Sequence, residues 1–135
     1  MAYKFDPNAQ YTKSHEWVRI EGTSAVVGIS DYAQHLLSDV VYVELPEPGD
    51  ELVQGESMGT VESVKAAEDA YAPISGKVLE SNADLESNPE WVNEDPYGKA
   101  WMARLSPSNL QELDSLMGAT AYEKFVQEEE EKGAH

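Results

Sequence analysis

The chain has 135 residues, of which 41% are hydrophobic, which suits one compact domain and is too little for two independent ones. Its 9 Lys and Arg residues against 26 Asp and Glu residues give a formal net charge of −17. Such a surface repels nucleic-acid phosphates and anionic lipids, so we expect no nucleic-acid and no membrane partner. The sequence contains no cysteine, which excludes disulfides, thiolate metal sites and cysteine nucleophiles.

The apolar runs are short, whereas a membrane-spanning helix needs about 20 apolar residues. The first residues, 1–6, lack the apolar run of a secretion signal and the Arg-rich character of a transit peptide. We therefore expect a protein of the cytoplasm.

Short runs with strand character dominate the first three quarters of the chain. They alternate apolar and polar residues or are rich in Val and aromatics, and turn formers such as residues 46–50 and 75–76 separate them. The predicted strands are residues 16–20, 25–29, 40–45, 58–64, 69–72, 77–80 and 101–105. Their number and spacing predict a mainly β fold, either a small sandwich or a barrel.

Helical signals lie between and after these strands. Asp31, followed three residues later by Gln34, has the spacing of a helix cap. The short helix that follows is predicted to bury three apolar residues, Ala33, Leu36 and Leu37.

The C-terminal region predicts a helical pair and then an unstructured end. Capping-box spacings begin at Ser108 and Thr120, each ahead of apolar residues with helical periodicity. The last residues carry four consecutive glutamates and little that can pack, so we expect them to fray into solvent. The chain is accordingly divided into an N-terminal extension (1–10), one folded domain with its helices (11–126) and an acidic tail (127–135).

Motifs of catalysis and metal binding are weak. No ligand-like spacing joins His15 and His35 to acidic residues, so we predict no metal site. Acid pairs such as Glu86 with Glu90 are expected anywhere in so acidic a chain and do not by themselves indicate a catalytic dyad. The sequence has no nucleophile elbow, phosphate-binding loop or dinucleotide fingerprint.

Lys65 is the one Lys or Arg between Arg19 and Lys77. A β-rich segment precedes it and a polar, small-residue segment follows, an arrangement typical of a hairpin tip. A lysine on a protruding tip can be reached by another protein's active site, and acylation would convert its ammonium into a neutral amide. Most surface lysines simply keep a loop soluble, so the local pattern by itself leaves both interpretations open.

The sequence around this lysine resembles a known family. The segment Glu62-Ser63-Val64-Lys65-Ala66 is similar to the lipoyl-bearing hairpin of the H protein of the glycine cleavage system. Further similar segments follow in family order between about residue 10 and residue 126: 11–17, 27–34, 39–46, 72–76 and 92–98, with Trp101. The resemblance therefore covers nearly the whole chain.

This resemblance implies a lipoyl-domain-like barrel-sandwich hybrid of two small antiparallel sheets, with short helices and a C-terminal helical pair. It also implies that Lys65 carries lipoic acid in amide linkage. The residues expected to be recognised by the modifying enzyme are those around the lysine: Glu62, Ser63, Val64 and Ala66. A carrier of this kind performs no catalysis itself.

The resemblance further implies several partner enzymes. Glycine decarboxylase (P protein) would load the methylamine group of glycine onto the lipoyl arm, and the aminomethyltransferase (T protein) would pass the one-carbon unit to tetrahydrofolate. Dihydrolipoamide dehydrogenase (L protein) would then reoxidise the arm. A lipoate ligase, or a lipoyl or octanoyl transferase, would attach it.

A loaded arm needs protection, because an S-aminomethyl group exposed to water can decompose to formaldehyde and ammonia. The resemblance points to an arm-docking groove with Ser14, Glu16 and Asp69 at its polar end and Leu37 in its apolar wall. Ser38 stands where a glycine is frequent in the family, which is a local departure beside that wall.

Other functions share the same hairpin. A biotin carrier usually has methionine on both sides of its lysine, whereas Val64 and Ala66 stand here. A lipoyl or octanoyl relay protein of lipoate metabolism, or an unmodified regulatory relative, would have the same sequence features, so these alternatives stay open.

Overall fold

A computed structural model describes residues 2–133. Within them the chain forms nine strands: β1 (Gln10–Tyr11), β2 (Glu16–Glu21), β3 (Ser24–Ile29), β4 (Val40–Glu44), β5 (Glu51–Leu52), β6 (Ser57–Ser63), β7 (Ala67–Tyr71), β8 (Gly76–Ser81) and β9 (Ala103–Pro107). The helices are α1 (Asp31–Leu37), α2 (Ala83–Ser87), α3 (Trp91–Glu94), a 3₁₀ helix (Leu110–Ser115) and α4 (Ala119–Gly133).

The strands form two antiparallel sheets. One has six strands in the order β1-β2-β3-β9-β8-β5, and the other has three in the order β4-β6-β7. The predicted mainly β fold with two antiparallel sheets is therefore confirmed. Each predicted strand is present with shifted ends, while β1 and β5 were missed because two residues are too short to show an alternating pattern.

The principal core lies between the two sheets. Both contribute fully buried valines, such as Val27 and Val78 from the six-stranded sheet and Val43 and Val61 from the three-stranded one. Leu105 of β9 completes this group with no exposed surface. These residues explain the Val-rich alternation, because one face of each strand is removed from water.

A second, aromatic cluster covers the opposite face of the six-stranded sheet. Consecutive residues of β2 divide between the two clusters, with Val18 in the core and Trp17 in the aromatic cluster. Tyr122 of α4 stacks on Tyr11 of β1 with ring centroids 4.2 Å apart. Phe5, from the predicted N-terminal extension, packs edge-on against Tyr122, so this segment lies against the domain.

The start of α1 differs from the predicted cap. Ser30, not Asp31, is the capping residue, and its hydroxyl accepts a hydrogen bond from the Ala33 N–H at 3.2 Å. The Asp31 carboxylate instead accepts from the Lys4 N–H. Leu36 was predicted to be buried and is 49% exposed, because it lines an open cavity instead of the core.

The C-terminal helices also differ from the prediction. Asn109 caps the first one, which is a 3₁₀ helix, and Thr120 lies inside α4. The helix α4 continues to Gly133, so the frayed tail predicted from residue 127 is wrong for residues 127–133. A hydrogen bond from the Tyr3 hydroxyl to Glu130 stabilises this extension, which continues from the buried Tyr122 and Val126. Residues 134 and 135 of that tail lie outside the described residues.

None of the helices within residues 2–133 is both long enough and apolar enough to cross a bilayer.

Gly28 is required where β3 passes Trp17. The two residues are paired across β2 and β3, and a Cβ on Gly28 would lie 2.9 Å from three atoms of the indole ring. The ring cannot easily move, because it is fully buried and its Nε1–H donates to the Pro96 carbonyl at 3.1 Å.

We predict that Gly28→Ala lowers the free energy of unfolding by about 1–3 kcal/mol, the usual cost of overpacking. Gly118→Ala is the control, since a Cβ there meets no atom within 4 Å. Urea denaturation of both variants measures the difference. Equal free energies of unfolding for the two variants would show that the Trp17 ring can move to make room for the added Cβ without loss of stability.

Candidate functional site

Lys65 lies at the tip of the hairpin formed by β6 and β7, as the sequence predicts. The last strand pair joins Glu62 to Ala67, and the Ser63 N–H donates to the Ala66 carbonyl at 2.7 Å. The Ser63 hydroxyl accepts from the N–H groups of Lys65 and Ala66, both at 3.1 Å. Because its side chain is bound within the turn, Ser63 shapes the tip, whereas the Lys65 side chain is exposed.

The tip lies close to the end of α1. The Val64 N–H donates to the Asp39 carbonyl at 3.0 Å, while the Val64 side chain is 70% exposed. The Lys65 ammonium donates to the Leu36 carbonyl at 3.1 Å. That carbonyl belongs to the last turn of α1, where the helix dipole is negative and favours a cation.

A cavity of about 360 Å³ opens beside Lys65 between the hairpin, α1 and the segment that leads into β2. Its volume falls in the usual range of small-molecule sites. The four residues predicted from the sequence as a docking groove all line it: Ser14, Glu16, Leu37 and Asp69. The structure therefore brings the predicted groove residues together next to the predicted attachment lysine.

Most of the cavity surface is apolar. Ala33 and Leu36 of α1, together with Val61 of β6, join Leu37 in forming these walls. The sequence pattern had marked the α1 residues as apolar but could not separate those facing the core from those facing an open cavity. Leu36 and Leu37 are adjacent, yet Leu37 is 7% exposed and Leu36 is half exposed.

Glu16 is a buried carboxylate at this cavity, with 2% of its surface exposed. One of its oxygens accepts from the Thr12 hydroxyl at 2.6 Å and the Ser14 hydroxyl at 2.5 Å. The other accepts from the Tyr71 N–H at 3.1 Å. Burial raises the pKa of Glu16, although these hydrogen bonds act in the opposite direction.

No Lys or Arg within residues 2–133 forms a salt bridge with Glu16. A buried carboxylate without a cation is costly, and an arriving ammonium group would reduce that cost. Asp69 lies at the same cavity in an exposed position, 3.4 Å from the Thr60 hydroxyl. The two carboxylates give the cavity a preference for a ligand that is apolar along its length and cationic at its end.

His15 is a cavity residue whose position the sequence did not reveal. It lies between Ser14 and Glu16, and its Nδ1 is 2.8 Å from the Tyr122 hydroxyl. Burial lowers the pKa of His15, which favours the neutral ring. Its partner is 107 positions away in the sequence, so no local pattern could have indicated this contact.

Within residues 2–133, no group of three or more His, Asp or Glu side chains is arranged to hold a metal ion.

The fold and the lysine-bearing hairpin place this chain in the class of small β carrier domains of the lipoyl type. A sequence profile for the family described as glycine cleavage H-protein matches residues 9–129. The chain belongs to the glycine cleavage H-protein family.

Individual relatives agree with this assignment. A glycine cleavage system H protein from Carboxydothermus hydrogenoformans is 51% identical over 90% of this chain and 94% of the relative. One from Symbiobacterium thermophilum is 55% identical over 88% of this chain and 93% of the relative. A crystal structure of a glycine cleavage system H protein from Mycobacterium marinum superposes with a TM-score of 0.81 at 35% identity, covering 88% of this chain and 96% of that one.

The raised pKa of Glu16 predicts a pH-dependent effect of Glu16→Gln. In the wild type the folded state binds the Glu16 proton more tightly than the unfolded state does, so this group favours folding at low pH and ceases to do so as pH rises through its folded pKa. Glutamine has no such proton. We therefore predict that the stability of Glu16→Gln relative to the wild type is higher at about pH 7 than at about pH 4.

Denaturant midpoints of both proteins at the two pH values measure this gain. Glu128→Gln, on the exposed side of α4, corrects for the general effect of removing one acid. If Glu16→Gln is instead more stable relative to the wild type at the lower pH, hydrogen bonding rather than burial determines the protonation of Glu16.

Proposed function

We propose that this chain is the lipoyl-carrying shuttle of a glycine cleavage system, that Lys65 is its lipoyl attachment site and that it performs no catalysis of its own. The observation that carries the proposal is the position of Lys65 on an exposed hairpin tip directly beside a mainly apolar cavity. Family membership supplies the reaction in which such an arm would take part.

Lipoyl attachment would join the Lys65 amine to the lipoate carboxyl group in an amide. The ammonium contact with the Leu36 carbonyl would then lose its charge, which frees the extended side chain from the end of α1. A tether on the tip can reach the active sites of other proteins while the domain stays folded. The dithiolane supplies the redox and group-carrying chemistry, and the protein supplies position and shelter.

The cavity provides that shelter for a loaded arm. Its apolar walls suit the hydrocarbon chain of the lipoyl group, and the carboxylates of Glu16 and Asp69 suit the amine of an aminomethyl group. Ser14 completes the polar end through its hydrogen bond to Glu16. Excluding water from the S-aminomethyl carbon would slow its hydrolysis to formaldehyde and ammonia between partner visits.

We propose as partners the glycine decarboxylase, the aminomethyltransferase, the dihydrolipoamide dehydrogenase and a lipoate ligase or transferase. The surface around the tip supports recognition by such enzymes, because Val64 exposes an apolar side chain and the partly exposed Glu62 ends the strand pairing two residues before it. Ser63 and Ala66 would act by holding the turn that presents the lysine. The cytoplasmic location expected from the sequence stays a prediction.

Lys65→Arg tests the attachment site, because arginine keeps the charge but cannot be acylated by lipoate. After incubation with a lipoate ligase, lipoate and ATP, intact-mass spectrometry should show one lipoyl increment on the wild type and none on this variant. Lys77→Arg, at an exposed position of β8, is the matched control and should be modified like the wild type.

The same proteins then test function in a reconstituted system. Glycine-dependent NAD reduction should require the lipoylated wild type or the Lys77→Arg control and be absent with Lys65→Arg. Retained activity with Lys65→Arg would refute the proposal. Modification of Lys65 without any support of glycine cleavage would favour the relay protein of lipoate metabolism instead.

A further inference from the structure

A row of hydrogen bonds connects α1 and α4 to the wall of the cavity. The Ala33 N–H donates to the Ser30 hydroxyl at 3.2 Å, and this hydroxyl lies 2.7 Å from the Tyr122 hydroxyl. The Tyr122 hydroxyl in turn lies 2.8 Å from Nδ1 of His15. His15 lines the cavity, so the Tyr122 hydroxyl connects α4 to the cavity wall.

The row is satisfied with either tautomer of His15. With the ring proton on Nε2, the Ser30 hydroxyl donates to the Tyr122 oxygen and the Tyr122 hydroxyl donates to His15 Nδ1. With the proton on Nδ1, both bonds reverse, and His15 donates to Tyr122 while Tyr122 donates to Ser30. In both cases the Tyr122 hydroxyl is bound on two sides. Hydrogen bonds in such a series polarise and strengthen one another.

The backbone at His15 is held in an uncommon conformation. Its φ of 77° lies in the left-handed region, which non-glycine residues seldom adopt. Backbone bonds hold it there, since the His15 N–H donates to the Thr12 carbonyl and the Ser30 N–H donates to the His15 carbonyl. Strain of this kind persists where the surroundings impose it, and it is common at ligand-binding sites.

This conformation determines where two of the polar cavity residues lie. Ser14 and Glu16 flank His15 in the sequence, so rotation at His15 would displace both of them relative to β7. The imidazole itself packs edge-on against Tyr32, with ring centroids 4.9 Å apart. The Tyr122 hydroxyl is the hydrogen-bond partner of the imidazole and therefore restricts its rotation.

We propose that Tyr122 is a positioning residue for the loaded arm: through its hydrogen bond to His15 it fixes the polar end of the cavity and so protects the aminomethyl group. The inference rests on the proposed function. It assigns to α4 a role in the carrier cycle in addition to its packing on the aromatic cluster.

Tyr11 offers a matched control for Tyr122. The two rings stack on each other, and both residues are fully buried. The Tyr11 hydroxyl also has two hydrogen bonds, since it accepts from the Asp6 N–H and donates to the Asp6 carbonyl. Tyr11→Phe and Tyr122→Phe each remove one buried hydroxyl from the same cluster, but only the Tyr122 hydroxyl is bound to His15, which lines the cavity, whereas the Tyr11 hydroxyl is bound to Asp6.

The test measures the lifetime of the loaded arm. Lipoylated full-length proteins are loaded with glycine by glycine decarboxylase, separated from that enzyme, and followed for the release of formaldehyde and ammonia. We expect Tyr122→Phe to release them about fivefold faster than the wild type, the factor expected for the loss of the hydrogen bond to His15. Tyr11→Phe should release them at the wild-type rate although its melting temperature falls by a similar amount.

Equal release rates for Tyr122→Phe and Tyr11→Phe would overturn the inference. A wild type that cannot be lipoylated or loaded would instead refute the proposed function, so the two failures are distinguishable.

His15→Asn tests whether Tyr122 acts through His15. Asparagine tolerates a positive φ but lacks the imidazole, so His15→Asn should accelerate release by itself. Adding Tyr122→Phe to this variant should then produce no further acceleration. If the double variant releases formaldehyde faster by the product of the two single accelerations, Tyr122 does not act through His15. If Tyr122→Phe does not fold, a wild-type release rate for His15→Asn would by itself overturn the inference, because Tyr122 is proposed to act only through His15.

Discussion

The buried carboxylate of Glu16 connects the two sheets at the place where they open to form the cavity. Glu16 begins β2 of the six-stranded sheet, and one of its oxygens accepts from the N–H of Tyr71 in β7 of the three-stranded sheet. Hydroxyls of Thr12 and Ser14 satisfy its other oxygen. These bonds keep the segment before β2 and the end of β7 in one arrangement at the cavity.

Burying this carboxylate without a cation costs stability. Under the proposed function, the loaded arm would bring a positive charge that no Lys or Arg within residues 2–133 supplies through a salt bridge. The Lys65 ammonium, at the same cavity, donates instead to the Leu36 carbonyl at the end of α1. Amide formation would remove this cation, and the arm that replaced it would enter the cavity with its amine directed to Glu16 and Asp69.

The parts of this arrangement that follow local rules could be predicted from the sequence. Alternation of apolar and polar residues indicated the long strands, and the change from a β-rich to a polar segment located the tip at Lys65. Family resemblance gathered Ser14, Glu16, Leu37 and Asp69 around one groove, and the structure places all four at the cavity. Their role in holding the arm is still a proposal.

Features that depend on tertiary contacts could not be predicted. The cap of α1 was assigned to Asp31 because its spacing to Gln34 matches a capping box, but the hydrogen bond of Tyr122 and the turn at His15 favour Ser30. The extension of α4 was missed because an acidic helix end gives no local sign that an N-terminal tyrosine will bind it.

Ser38 illustrates a third case. Its φ of 67° lies in the left-handed region, which glycine adopts most easily, and this explains why a glycine is frequent before Asp39 in the family. The sequence alone showed only that Ser38 departs from the family pattern.

The central claim is that the cavity beside Lys65 receives the loaded lipoyl arm. Nuclear Overhauser measurements on lipoylated protein loaded from glycine labelled with ¹³C at its α-carbon test this claim most directly. The account predicts contacts between the labelled methylene and the side chains of Leu37 and Ala33 in the free carrier. A narrow methylene signal without contacts to these residues would show that the loaded arm stays in solvent and would contradict the account.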